Sequence, residues 1–341
     1  MHAAPCADNL EHVRVILPEH GDDWDDWVRD WYFHLQHDDR TQSQGTHVAY
    51  LIDIRQFLDY LHDPEVGDSK VTEPSLVERR HIEGFLAWLK DIGRSSGTRY
   101  RRLMALKSFW RWLRDEPGSG VGQILPTDRI PIPVVSSPPK PIVYDDALAA
   151  LLATCSNRTF VDLRDEAIIR LMDATGVRRE ELVRADTAGV DINRSDIYIL
   201  GKGRKPRLVA ISGTKATLAL SRYLRARRKH PGAASKALFL SVRSRVDRSG
   251  PVPTVEWRMT GGAVGIMLER RCEQAGIPKI QPHRLRHTWA HHAKAAGISE
   301  EDLENQGGWA KGSPVVRRYG ASVAAERARE AHRKLNLGDR I

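Results

Sequence analysis

The chain has 341 residues, of which 41% are hydrophobic and 28% charged, and it carries a net charge of +9. That length suffices for two ordinary domains with buried cores, and the composition excludes a disordered or collagen-like chain. The charge admits a polyanionic partner, while no run of about 18 apolar residues is present to form a membrane-spanning helix.

The charge is unevenly placed. Residues 1–68 hold 4 Arg and Lys against 15 Asp and Glu, a net of −11, so the rest of the chain carries +20. An acidic front and a basic remainder suit a nucleic-acid binder with one end off the polyanion. Cys6, Cys155 and Cys272 are far apart and form no CxxC, which argues against a zinc knuckle or a disulfide framework and fits a reducing compartment. The opening MHAAPCADNLEHVRVILPEH has no apolar run behind a basic one, so a cytoplasmic location is expected.

Taken in chain order, residues 1–22 read as an acidic extension and 23–116 as a helical domain. Leu51, Ile54, Leu58 and Leu61 recur at helical spacing in THVAYLIDIRQFLDYLH. Residues 77–92 and 96–115 also read as helices, bounded by Gly93 and Pro117. The second interleaves Arg99, Arg101, Arg102, Lys107, Arg111 and Arg114 with Tyr100, Phe109, Trp110 and Trp112. It is either a core helix with a solvated basic side or a helix laid against phosphates.

Residues 117–142 form a linker, since seven of the chain's 18 prolines fall in 117–141 and exclude a regular helix there. From 143 to the C-terminus helical patterns return, at 144–155, 160–174, 178–185, 213–229, 259–275, 283–296 and 321–336. SDIYIL and PRLVAI, flanking GKGRK, predict a hairpin, and ALFLS at 237–241 a further strand. The fold class is therefore mainly α with a small β-hairpin sheet.

Four segments of this second half hold candidate chemistry. In ATGVRREEL, Gly176 ends one helix and Arg178 opens the next, beside free backbone N–H groups that suit an anion. In GKGRKPR, two glycines lift Lys202 clear of the strands, with Lys205 as its rival. This is not a phosphate-binding P-loop, because a strand and not a helix follows. In HRLRHTWAHH, His283 and Arg286 share a helix face. His287 and His291 continue at four-residue steps, but a zinc ion would want carboxylates or thiols nearby and the helix offers only more His and Lys294. In GGWAKGSPVVRRYG, Tyr319 ends a short segment, and it is the only tyrosine after Arg286.

Each signal is weak alone, but their order and spacing resemble the catalytic signature of the tyrosine recombinase family. The matching text is ATGVRREEL, ILGKGRKPRLVAI, HRLRH, and GW followed by Tyr319. The front half, with SGTRYRRLMALKSFWRWL, looks more loosely like that family's helical core-binding domain. The resemblance implies a core-binding domain over 23–116 and a catalytic domain with a C-terminal helix over 143–341. It implies Tyr319 as nucleophile, Arg178 and Arg286 on the scissile phosphate, Lys202 as general acid and His283 as acid/base or phosphate ligand. Glu181 would brace the first Arg, and Arg99, Arg101, Arg102, Lys107 and Arg111 would lie on DNA. Trp309 stands where relatives most often carry His; it cannot accept a proton, so it donates its indole N–H or packs. The segment from Trp309 to Tyr319 is one residue longer than usual.

The same resemblance implies site-specific cutting and rejoining of double-stranded DNA by a homotetramer through a four-way junction. Accessory DNA-bending proteins, a nucleoid location and docking of the terminal helix on a neighbour belong to that picture. No cofactor or metal is expected: two guanidinium forks can hold the phosphate's charge, a lysine can protonate the leaving oxygen, and a phosphotyrosine keeps the bond energy, so ATP is not needed. Two other readings stay open, a catalytically silent DNA-binding protein of the same fold and a topoisomerase of similar chemistry.

Overall fold

The computed structural model describes residues 22–37, 44–133, 141–201, 205–247, 254–317, 328–329 and 332–335. The chain divides into two compact units at Ser137–Pro138.

The described part of the first unit is built on four helices: α1 (Asp22–His37), α2 (Gln44–His62), α3 (Arg79–Asp91) and α4 (Ser96–Asp115). Their apolar faces meet in a core rich in rings, with Trp24, Trp31, Phe57, Phe85, Phe109 and Trp110 fully buried. Ser95 starts α4 by accepting the Thr98 N–H at 3.2 Å, which satisfies one of the donors a helix N-terminus leaves open. The proline-rich stretch has no helix or strand over 117–133, as its composition requires. It is not loose there, because Leu125 and Ile130 are buried in the first unit's core.

The second unit is mainly α-helical with two small antiparallel sheets. Its helices are α5 (Asp145–Ala153), α6 (Phe160–Thr175), α7 (Arg179–Arg184), α8 (Thr214–Arg227), α9 (Gly261–Ala275), α10 (Pro282–Ala295) and α11 (Glu300–Gly307). Strands β1 (Val190–Asp191), β2 (Asp196–Leu200) and β3 (Pro206–Ala210) form one sheet, in which Ile199 faces Arg207 and Leu200 faces Pro206. Strands β4 (Leu240–Asp247) and β5 (Thr254–Arg258) form the other. The core is largely aliphatic, drawn from Ile168, Ile169, Leu182, Ile199, Leu220 and Leu268 among others. The hydrophobic periods place α5 to α10 where the sequence puts them, and the fold class agrees.

Three elements differ from expectation. The strand expected at 237–241 begins only at Leu240. Ala237, Leu238 and Phe239 are a buried run tied to the loop after α7, through a bridge from Ala237 to Asp186 and the Leu238 N–H to the Ala185 carbonyl at 2.9 Å. The β4–β5 ribbon was not anticipated: Val242, Val246 and Val255 are all exposed, and its apolar residues are few among Arg, Ser, Asp and Glu. Helix α11 was also missed. Of the helix expected at 321–336, residues 328–329 and 332–334 are helical and most of the others lie outside the described residues. Cys155 and Cys272 are free and buried, and Cys6 is outside the described residues. Among the described residues no helix is long and apolar enough to cross a membrane.

Candidate active site

Helix α6 ends at Gly176, which has φ +61°. A Cβ there would also lie 2.0 Å from Trp289 Cε3, so both conformation and space demand glycine. The left-handed turn aims the chain at Arg178, the N-cap of α7. Its backbone N–H donates to Glu181 Oε2 at 3.0 Å. Its Nη1 donates to Glu181 Oε1 at 2.8 Å and to the Gly308 carbonyl at 3.0 Å. Both side-chain bonds use Nη1, and the side chain keeps 36% exposure.

Arg286 comes from α10, where Pro282 opens the first turn. Its side chain is buried, with Nη1 donating to the Gly176 carbonyl at 2.6 Å and Nη2 to the Gly307 carbonyl at 2.7 Å. The guanidinium lies 3.8 Å from the centroid of the Trp309 ring, and that indole stacks in turn on Trp289 at 6.1 Å. Trp309 thus packs as a platform under a cation, a role an indole fills well.

Arg178, Arg179, Gly262, His283 and Arg286 line one cavity of about 640 Å³. His283 is exposed at its mouth, its ring edge-on to His287 with centroids 4.7 Å apart. A concave site with two guanidinium groups and an imidazole can neutralise a phosphodiester and move a proton beside it.

The scaffold behind this cavity includes residues to which the sequence reading gave no role. Arg207 on β3 grips Glu181 with both terminal nitrogens, Nη1 to Oε1 at 3.2 Å and Nη2 to Oε2 at 2.8 Å, while its Nε donates to the Gln306 carbonyl at 3.1 Å. Burial works to raise the Glu181 carboxyl, but the Arg207 fork and the Arg178 backbone bond outweigh it and hold its pKa below the usual range. Glu304 is buried too. Its Oε1 accepts from the Ser313 N–H at 2.9 Å and its Oε2 from the Gly312 N–H at 3.1 Å, pinning the turn after Trp309. The signal for Arg207 was alternation, which puts it on the same inward face of β3 as the buried Val209.

The structure thus brings together Arg178, Glu181, His283, Arg286 and Trp309. Lys202 and Tyr319 lie outside the described residues. The hairpin ends that flank Lys202 are described, with the Gly201 N–H donating to the Lys205 carbonyl at 2.8 Å. In the first unit, the five α4 residues expected on DNA do not form one surface. Arg111 is exposed and Lys107 half-exposed, whereas Arg102 is buried, its Nε 3.5 Å from Asp53. Arg102 is therefore a core ion pair and not a DNA contact. Arg101 also turns to Asp53, at 2.7 Å, with its side chain 42% exposed.

Two family models match the chain. "Phage integrase family" covers residues 142–326, and "Phage integrase, N-terminal SAM-like domain" covers 28–117. The chain belongs to the phage integrase family, the site-specific tyrosine recombinases. Its relatives include the tyrosine recombinase XerC of Roseiflexus castenholzii (strain DSM 13941 / HLO8), 31% identical over 267 residues that span 76% of this chain and 78% of the relative. Among solved structures, the XerH site-specific recombinase bound to palindromic difH substrate, in a post-cleavage complex, matches with a TM-score of 0.64. It is 17% identical, over 90% of this chain and 94% of the other. A lambda integrase tetramer bound to a Holliday junction matches with a TM-score of 0.62 and 13% identity, over 93% and 81%.

Proposed function

We propose that this protein cuts one strand of a DNA duplex by forming a 3′-phosphotyrosine at Tyr319 and rejoins it to a second 5′-hydroxyl. The reaction needs no ATP, and this chain's own side chains do the work. The observation that carries the reading is the convergence of Arg178, His283 and Arg286 on one cavity, walled by a cation stacked on Trp309. Tyr319 passes its phenolic proton to His283 or to solvent water, and its oxygen attacks phosphorus. The bond from phosphorus to the 5′-oxygen breaks, and Lys202 gives that oxygen its proton. Arg178 and Arg286 offset the charge on the non-bridging oxygens, since a guanidinium keeps its proton throughout. His283 relays a proton or holds the phosphate, and Glu181 braces Arg178.

The partner is double-stranded DNA in the nucleoid, and the working form is a homotetramer, a reading supported by the lambda integrase tetramer on a Holliday junction that this fold matches. The first unit, as a core-binding domain, contributes Arg99, Arg101, Lys107 and Arg111 of α4 to phosphate contacts. The +20 carried by residues 69–341 makes binding strongly salt-dependent.

The test is covalent trapping on a nicked duplex recovered by selection from a random-sequence pool. The native protein is expected to give an SDS-stable adduct. Tyr319→Phe should bind the same duplex with unchanged affinity and give none. An adduct that persists in Tyr319→Phe moves the nucleophile elsewhere, and no adduct from the native protein sinks the reading.

A further inference from the structure

Glu181 is the meeting point of two cations. It is a buried carboxylate, and Arg178 and Arg207 both bind it, each within 2.8 Å at its shortest contact. Two positive charges against one negative leave the cluster with a net positive charge at the edge of the cavity. Were Arg207 absent, Arg178 and Glu181 would form a neutral pair. Arg178 would then meet a phosphate with its charge already cancelled, in a desolvated place where such cancellation counts most.

We propose that Arg207 is a positioning residue that acts as counter-charge to Glu181, leaving the charge of Arg178 available to the scissile phosphate. The inference rests on the reading that Arg178 binds that phosphate. Arg207 does not itself reach the ligand. Its Nε, Nη1 and Nη2 are all engaged, on the Gln306 carbonyl and the two Glu181 oxygens, and it does not line the cavity. Its place is also tight: a Cβ on Gly308 would lie 2.6 Å from Arg207 Nη1, so a side chain there would displace the guanidinium from its present position. The rival account makes Arg207 a staple that merely ties β3 to α11.

The two accounts part when Glu181 is also removed. A staple lost is still lost, whereas a counter-charge is no longer needed. Single-turnover adduct formation is measured with the full chain on the nicked duplex. Arg207→Ala should be slower than native by about 10²-fold, the loss typical of one transition-state charge contact. The double variant Arg207→Ala/Glu181→Gln should be about tenfold faster than Arg207→Ala alone, on the order of one removed charge at partial exposure. A double variant as slow as Arg207→Ala, or slower, overturns the proposal. If Arg207→Ala fails to fold, Arg207→Lys and Arg207→Gln carry the test. The charged Lys should stay within about tenfold of native and the neutral Gln should fall well below it; equal rates overturn the idea. Absence of any adduct from the native protein is a different failure, that of the underlying reading.

Discussion

The two compact units handle buried charge in opposite ways. In the first, the core is a set of packed rings: Trp110 meets Phe109 at 5.1 Å and Phe57 at 5.7 Å. One carboxylate, Asp53, is wholly buried beside Arg101 and Arg102, yet neither oxygen has a well-aligned hydrogen bond. Burial dominates, and its pKa is pushed up to about 6 against the pull of the two arginines. In the second unit, two neighbouring buried carboxylates are gripped by guanidinium forks. Asp165 is held by Arg164, Arg270 and Arg271, all within 2.8 Å, and Asp162 by Arg271 at 2.8 Å. For Asp162, burial again pushes upward, but the bonds from Thr159 and Arg271 overcome it and depress the pKa. A buried carboxylate keeps its charge where donors match its geometry and gives it up where they only approach. Around Asp162 and Asp165 the second unit relies on matched geometry, while the first relies on packing.

The sharpest way to break this contrast is to remove one ring. Trp110→Ala should cost about 3–5 kcal/mol, the loss expected when a buried Trp leaves a cavity. Hydrogen exchange should then accelerate across 44–115 while 160–295 keep their protection. Equal acceleration in both stretches would mean the units do not hold their cores separately. Next in size is Asp165→Asn, which leaves three guanidinium groups around a neutral amide. A buried pair broken on one side costs about 3–5 kcal/mol, and the retained amide oxygen keeps this at the lower end, about 3 kcal/mol. Denaturant melting of the second unit checks it. A change below about 1 kcal/mol would show that the network is cosmetic.

This same contrast explains what the sequence made legible. Helical periods placed α5 to α10 because each has a continuous apolar stripe. Arg178, His283, Arg286 and Trp309 were singled out by an order and spacing that resemble a family signature, because each local signal is weak alone. Arg102 misled, since a basic side chain drawn inward to Asp53 is spelled like one that faces solvent. Arg207 was hidden among Lys202, Arg204 and Lys205: alternation puts it on the inward face of β3, but its forks on Glu181 exist only in the folded chain. Glu304 left no local mark, because its two bonds go to backbone N–H groups eight and nine residues ahead. Long-range pairing of charges is a property of the folded chain, and single-sequence patterns do not carry it.

The smallest predicted effect is a divergence of the two units with pH. Asp53 has a folded pKa near 6, above its unfolded value of about 3.9. Between those values the folded state binds the extra proton, so stability of the first unit falls as pH rises from about 4 to 6 and is flat beyond. Glu181 and Asp162 have depressed folded pKa values. Their contribution is present above the unfolded carboxylate values of about 4 and is lost as pH falls through the folded ones. Acidifying from pH 7 to 5 should therefore tighten the first unit slightly through Asp53, while the contributions of Glu181 and Asp162 stay in place. Below about pH 4 the second should loosen first. Hydrogen exchange at matched chemical rates reads both units at once. Asp53→Asn removes the only titrating group in its pair and should flatten the slope of the first unit between pH 4 and 6. If the slope survives in that variant, the burial of Asp53 is not its cause, and the contrast between matched and approached carboxylates loses its first-unit half.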